Sequence, residues 1–166
     1  MNNFNHYYDS IETRRVISVI VINEDSVLSR IVGLFSARGY NIDSLTVAPI
    51  HDSEYSRITI VTVGNKRVID QIVKQLNKLI PVLKVNEHSN VIEKDTVLIK
   101  IPIDQNLSDV AAIAAAYKGS IQNVTEDAIV VSATDEPSRI MNFIKVIQKR
   151  FHPLEIVRSG VVAIER

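Results

Sequence analysis

Apolar and polar positions in the first part of the chain predict a strand followed by a short helix. Val16–Ile22 is short and rich in β-branched residues, which favours a central strand. From Val27 to Phe35, apolar residues recur at spacings of three, four and seven, as on one face of a helix. Asp25 or Ser26 is placed to cap this helix. Gly39 is placed to end it, because glycine tolerates left-handed backbone.

The same alternation continues to the middle of the chain and predicts a compact α+β domain. It predicts strands over Asn41–Pro49, Tyr55–Val63 and Val82–Glu87, and a helix over Asn65–Lys78. The order β-α-β-β-α-β, with both helices on one face of an antiparallel sheet, is the ferredoxin-like arrangement. The first strand carries isoleucine and valine on both faces. We therefore expect its other face to be covered by a partner or another domain.

The second half of the chain repeats this pattern after a polar stretch. Residues 89–95 predict a linker. The predicted strands that follow are Val97–Ile103, Ile121–Val124, Ile129–Ser132, Leu154–Arg158 and Val161–Ile164, and the predicted helices are Leu107–Tyr117 and Pro137–Lys149. Leu28 precedes Gly39 at nearly the spacing at which Leu107 precedes Gly119, which indicates a degenerate internal duplication.

The sequence thus predicts two tandem ferredoxin-like βαββαβ domains. The first spans residues 14–88 and the second residues 96–166, behind a mobile tail of residues 1–13. Each domain is small enough for its core to be marginal, so we expect mutual packing or oligomerisation.

Composition indicates a folded protein without a general affinity for polyanions. The 166 residues are 46% hydrophobic and 23% charged, and 19 basic residues balance 19 acidic ones. A net charge of zero gives no overall attraction to nucleic acid or to a membrane surface. The absence of cysteine excludes disulfides and cysteine-ligated metals and, with no signal peptide or long apolar run, favours the cytoplasm.

Nothing in the chain has the pattern of a catalytic site. The four histidines fall in a predicted tail, turn, linker and loop, without metal-ligand spacing, and are expected to be solvated: His6, His51, His88 and His152. Glu24 and Asp25 are adjacent and point apart, so they do not form an acid–base pair. No nucleophile elbow, P-loop or dinucleotide motif occurs. Tyr55 is alone among the strands, which argues against base stacking and RNA binding.

The polar corner at Asn23–Ser26 is the best candidate for a binding site. It opens directly into a helix, whose unpaired N–H groups and positive dipole end can hold a small carboxylate. A ligand carboxylate would meet the N–H groups of residues 26–28, and Asn23 would receive its ammonium or carboxylate. The alternative is a capped helix after a polar turn, with Asn41 serving only to form a turn. The residues alone leave both interpretations open.

Three stretches of the chain closely resemble the regulatory small subunits of acetolactate synthase, also called acetohydroxyacid synthase. They are NEDSVLSRIVGLFSARGYNIDSLTVAP, SRITIVTVG and RSGVVAIER. The first is highly specific, whereas the second half is a looser match apart from RSGVVAIER. The likeness extends from Arg14 to Arg166. It implies that the first domain is an ACT domain, a ferredoxin-like module that pairs edge to edge with a second copy and binds effectors at the interface.

The resemblance also implies a function. A separate catalytic subunit, using thiamine diphosphate, Mg²⁺ and FAD, would join two pyruvates, or pyruvate with 2-oxobutyrate, in branched-chain amino-acid biosynthesis. The small subunit would carry no cofactor and no catalytic or metal-binding residue. It would activate this transferase and confer feedback inhibition by valine.

The resemblance assigns the effector contacts to particular positions. Asn23 matches the polar corner residue, Val27 and Leu28 match backbone and apolar contacts, and Asn41 and Ile42 match the contribution of the neighbouring chain. With the rest of the corner, the expected set is Asn23, Asp25, Ser26, Val27, Leu28, Asn41 and Ile42. Ser26 departs from the glycine that the family usually has, which lets backbone approach a ligand without a Cβ. Activation therefore follows more directly from the resemblance than valine sensitivity does.

Two other functions fit the same residues. One is a free-standing ACT-type amino-acid sensor, which would not co-purify with a large thiamine-diphosphate enzyme. The other is a ferredoxin-like structural dimer without a ligand, whose melting temperature would not respond to valine.

Overall fold

The computed structural model describes residues 11–166, which form two compact units. The first unit extends to Val91 and also includes Glu165–Arg166, and the second comprises Ile92–Ile164. Residues 1–10, most of the expected tail, lie outside the described residues. The tail as predicted is too long by one residue, because the first strand already begins at Thr13.

The first unit has the predicted β-α-β-β-α-β order and a four-stranded antiparallel sheet. The strand order is β2-β3-β1-β4, so β2 and β4 are the outer strands. The elements are β1 (Thr13–Ile22), α1 (Val27–Ser36), β2 (Ser44–Pro49), β3 (Tyr55–Gly64), α2 (Lys66–Leu76) and β4 (Val82–His88). The predicted ferredoxin-like fold is confirmed for this unit.

Alternating residues of the sheet and one stripe of each helix form the core of the first unit. Its fully packed members are Ile17, Val19, Val21, Val27, Ile31, Leu34, Phe35, Ile58, Ile60, Ile69, Ile72 and Leu76. On the opposite face of β1, Val16 and Ser18 are also buried, at 3% and 2% exposure. The sequence predicts that this face is covered, because the strand carries apolar residues on both faces.

The second unit repeats the topology of the first. Its strand order is β6-β7-β5-β8, with β9 also paired to β5. The elements are β5 (Val91–Pro102), α3 (Leu107–Ala116), β6 (Ser120–Val124), β7 (Ala128–Asp135), α4 (Pro137–Phe151), β8 (Glu155–Arg158) and β9 (Val162–Glu165). Because the two units share one strand order, the structure supports the internal duplication that the spacing of leucine and glycine indicated.

The boundary between the two units falls inside the predicted linker over residues 89–95, but most of that stretch is strand rather than loop. Only Ser89 and Asn90 separate β4 from β5, because β5 already begins at Val91. Asp95 is buried and lies opposite Asp135 in the sheet. The polar side chains of this stretch are typical of a linker. They do not show that its backbone pairs with strands distant in sequence.

Candidate functional site

Two turns of the first unit fix the backbone of the polar corner. The N–H of Ile22 donates to the carbonyl oxygen of Pro81 at 2.9 Å, and the N–H of Asn23 donates to that of Glu54 at 3.0 Å. Glu24 N–H donates back to Ile22 O at 2.9 Å. The side chains of residues 23–26 are nevertheless exposed. The corner is therefore an anchored loop that presents polar groups to solvent.

Ser26 enters the helix through a left-handed backbone conformation. Its φ is 67° and its ψ is −3°, a region that costs L-residues free energy because Cβ approaches the carbonyl oxygen. No side chain caps α1, so the predicted capping by Asp25 or Ser26 is wrong. The positive φ gives a second reason, besides close approach of a ligand, why glycine suits this position.

The start of α1 leaves its first backbone N–H groups available. The first helical bond runs from the N–H of Arg30 to the carbonyl oxygen of Ser26, at 3.0 Å. The N–H groups of Val27, Leu28 and Ser29 precede this bond and have no helical acceptor. No acidic residue stands in the first turn of the helix. A ten-residue helix with an uncapped start is a suitable place for a small anion.

The two apolar residues at this helix start differ in burial. Val27 belongs to the core and is 7% exposed, whereas Leu28 is 38% exposed. The apolar face that the spacing predicts for this helix therefore includes one residue, Leu28, that is open to solvent. Its exposed side chain lies one residue beyond Val27, where it can contact an apolar group held at the helix start.

Asn41 and Ile42 lie at the far end of α1. Gly39, with φ 65°, follows the helix as predicted. Asn41 Nδ2 donates to Asp43 Oδ1 at 2.6 Å, and Asn41 O accepts from Thr62 Oγ1 at 2.6 Å. Ile42 is half-buried against the core of the unit. A ten-residue helix spans about 15 Å, so one chain does not bring these two residues to the corner.

Sequence reasoning missed several groups that shape the site. The carbonyl groups of Glu54 and Pro81 hold the corner, and Asp43 orients the Asn41 amide. The backbone carbonyls act through contacts that no residue type reveals. The hydrogen bond between Asn41 and Asp43 could have been predicted from the sequence, because a carboxylate two residues after an asparagine is within reach of its side-chain amide.

The three histidines among residues 11–166 take no part in the corner. His51 is exposed beside Asp52, and His152 is exposed after α4. His88 is not solvated as predicted, because it is buried in β4 with Nε2 2.7 Å from Ser18 Oγ. His6 lies outside the described residues.

Within residues 11–166, no group of three or more His, Asp or Glu side chains is placed to hold a metal ion. A search of the same residues for a helix with the length and apolar character to cross a membrane finds none.

Comparison with known proteins gives the same similarity for both halves of the chain. Residues 17–84 match the family described as "AHAS small subunit-like ACT domain", and residues 94–166 match "Small subunit of acetolactate synthase". The acetolactate synthase small subunit of Buchnera aphidicola from Schizaphis graminum is 41% identical, over 92% of this chain and 99% of that protein.

Two further relatives extend the comparison. The small subunit of acetolactate synthase isozyme 3 from Escherichia coli is 40% identical, over 92% of this chain and 96% of its own length. The crystal structure of the acetolactate synthase small subunit from Thermotoga maritima is 30% identical, with a TM-score of 0.86, and covers 93% of this chain and 98% of that one.

Proposed function

Because the chain belongs to the acetolactate synthase small-subunit family, we propose that it activates the catalytic subunit of that enzyme and makes it sensitive to valine. The observation that carries the proposal is the anchored corner with an uncapped helix start, inside the domain that matches the family's ACT module. The thiamine diphosphate, Mg²⁺ and FAD would belong to the catalytic subunit, and this chain would contribute only regulation.

Valine fits the corner through both of its charged groups. Its carboxylate would accept from the N–H groups at the start of α1, where the helix dipole favours negative charge. Its ammonium would lie near Asn23 and the exposed carboxylate of Asp25. Its isopropyl group would contact Leu28, which is 38% exposed. The Ser26 hydroxyl, which does not cap the helix, would lie beside the ligand carboxylate.

A second copy of the chain would complete the site. Asn41 and Ile42 directly precede β2, an outer strand of the first sheet. Edge-to-edge pairing along β2 would bring these residues close to the second copy. The bond to Asp43 uses one N–H of the Asn41 amide, and the amide oxygen could accept a hydrogen bond from the ligand ammonium.

Inhibition would follow from linkage between the two sites. Valine would favour one arrangement of the paired domains, and that arrangement would support the catalytic subunit less well. A coupling free energy of about 1–3 kcal/mol is typical, and any factor by which valine lowers the affinity for the catalytic subunit is the factor by which that subunit lowers the affinity for valine. An apolar pocket distinguishes ligands that differ by one methylene by only about 1–3 kcal/mol, so leucine and isoleucine should compete with valine.

Reconstitution tests the proposal. The purified chain is mixed with its catalytic subunit, and acetolactate formation is measured with and without valine. We expect higher activity with the chain present and a decrease when valine is added. No activation, together with valine binding to the chain alone, would indicate a free-standing sensor. Neither activation nor a valine-dependent shift in melting temperature would indicate a structural dimer.

A further inference from the structure

A buried histidine connects β1 to the end of β9. His88 is the last residue of β4, and its side chain is 3% exposed. Its Nε2 lies 2.7 Å from Ser18 Oγ, and its Nδ1 lies 3.7 Å from Oε2 of Glu165, the last residue of β9. The N–H of Arg166 donates to Asn90 O at 3.2 Å, so the backbone also holds this segment beside the turn after β4.

The charges around the ring indicate where the neutral histidine carries its proton. Within the described residues, Nδ1 is buried and makes no hydrogen bond. A lone pair on Nδ1 would face the Glu165 carboxylate unfavourably, whereas an N–H there would be attracted to it. These charges favour the tautomer that carries its proton on Nδ1, in which the Ser18 hydroxyl donates to Nε2. Protonation of Nε2 would reverse this bond and place a full positive charge near Glu165.

Ser18, His88 and Glu165 have the residue types of a nucleophilic triad, but these three residues cannot act as one. Ser18 is 2% exposed and lies in a strand that is paired on both sides, with β3 and β4. A substrate carbonyl has no access to its Oγ, and a nucleophile needs that access. The three groups are instead suited to couple the charge of the ring to the position of Glu165.

Other charges set the balance on this face of the sheet. The strand register places Arg14 of β1, Arg57 of β3 and Lys84 of β4 on the same face as His88. Arg15 and Glu87, which are 3.6 Å apart, lie on the opposite face. Glu165 is the carboxylate that favours the charged ring.

We propose that Ser18, His88 and Glu165 form a proton-operated latch in which protonation of His88 holds Glu165, and with it the end of β9, against β4. When His88 is neutral, only the weaker attraction of its N–H for the carboxylate remains. This device is separate from the effector site, and it does not depend on the proposed function.

Hydrogen exchange in the full chain tests the latch. Amide protection of residues 165 and 166 is measured by mass spectrometry at pH 5.5 and pH 8 and is corrected for intrinsic exchange rates. We expect protection to be about twofold to fivefold higher at pH 5.5, as for a partly exposed ion pair. Equal protection at the two pH values would overturn the proposal.

Two matched variants separate the latch from general effects of charge. Glu165→Gln removes the carboxylate from a side chain that is 68% exposed, so the variant should fold and lose the pH dependence. Glu126→Gln removes the same charge from an exposed turn of the second unit and should retain the dependence. A pH dependence in Glu165→Gln equal to that of the unmodified chain would also overturn the proposal.

Discussion

Ser26 holds the turn into α1 in a backbone conformation that L-residues other than asparagine and aspartate seldom adopt. Its hydroxyl forms no capping hydrogen bond that would compensate. At a φ of 67°, its Cβ lies unfavourably close to a backbone carbonyl oxygen, a contact that glycine would avoid. The strain persists because the residues before it are anchored by the Glu54 and Pro81 carbonyls. Strain of this kind, beside exposed helix amides, is consistent with a site shaped for a ligand.

Replacing Ser26 with glycine should therefore stabilise the chain. We expect Ser26→Gly to raise the free energy of unfolding by about 1 kcal/mol, measured by urea denaturation, because glycine adopts positive φ without a Cβ clash. Valine affinity by calorimetry should be equal or higher. Ser29→Gly is the control. Inside the helix, glycine should instead cost about 0.5 kcal/mol. Much weaker valine binding in Ser26→Gly would show that the hydroxyl contacts the ligand.

Asn41 should separate inhibition from activation. Asn41→Ala removes the proposed contact with the effector but leaves the carbonyl that accepts from Thr62, so the fold should persist. We expect valine inhibition to weaken at least fivefold, the lower range of allosteric coupling, with activation of the catalytic subunit unchanged. Asn77→Ala, which removes an exposed amide bonded to Val73 O, should change neither. Loss of inhibition and activation together would contradict this division.

At the residue scale, the sequence predicted what local chemistry determines. Gly39 follows its helix with positive φ, as its residue type indicated. The solvated environment predicted for His88 is wrong, because burial depends on which strands and helices meet. The left-handed conformation of Ser26 had one signal in the sequence, the glycine that the family resemblance led us to expect there.

At the junction between β7 and α4, three cations surround one carboxylate. Asp135, 3% exposed, ends β7 and lies 2.9 Å from Lys94 Nζ, 2.8 Å from Arg139 Nε and 3.4 Å from Lys118 Nζ. The hydrogen bond from Lys94, followed by that from the N–H of Glu136, holds the pKa of the Asp135 carboxyl well below its usual range, against the opposing effect of burial. The junction thus depends on an ionised carboxylate.

This junction should make the chain sensitive to acid. A carboxyl group whose pKa is lower in the folded chain stabilises it above its unfolded pKa and loses that effect as pH falls. We expect the free energy of unfolding, from urea denaturation, to fall between about pH 5 and pH 2, and to fall less steeply in Asp135→Asn. Asp109→Asn, at a half-exposed pair with Arg150, is the control and should leave the slope nearly unchanged. An unchanged slope in Asp135→Asn would show that another group is responsible.

The sequence predicted the type of each helix and strand more accurately than the residues at which it begins and ends. Hydrophobic periodicity placed the four helices of residues 11–166, yet β1 extends back to Thr13 because Thr13, Arg14 and Arg15 pair with β3. Periodicity could not show this, because ladder bonds do not depend on side-chain polarity. Gly119, the counterpart of Gly39 in the second half, does not share its left-handed backbone. Lys118 takes the positive φ, and Gly119 lacks a Cβ because that atom would collide with Ser132 O.

For the whole molecule, the repeated strand order indicates that each half has its own core. The twelve buried apolar residues of the first core come from the elements before His88. A fragment ending after Glu87 should therefore stay folded and dimeric, as judged by circular dichroism and analytical ultracentrifugation. Its stability should be low, because small domains bury little surface. A fragment that is unfolded at low temperature would show that the halves depend on each other.

The proposed function depends on a ligand carboxylate that binds at the start of α1. A titration of the ¹⁵N-labelled chain with valine, followed by NMR, is the most direct test of this binding. The amide resonances of Ser26, Val27 and Leu28 should shift as valine is added and reach a plateau. If a second copy completes the site, the resonance of Asn41 should shift with the same dissociation constant. The Ser26→Gly variant should show the same pattern at its remaining positions. Saturating shifts confined to other residues, or none up to millimolar valine, would contradict the account.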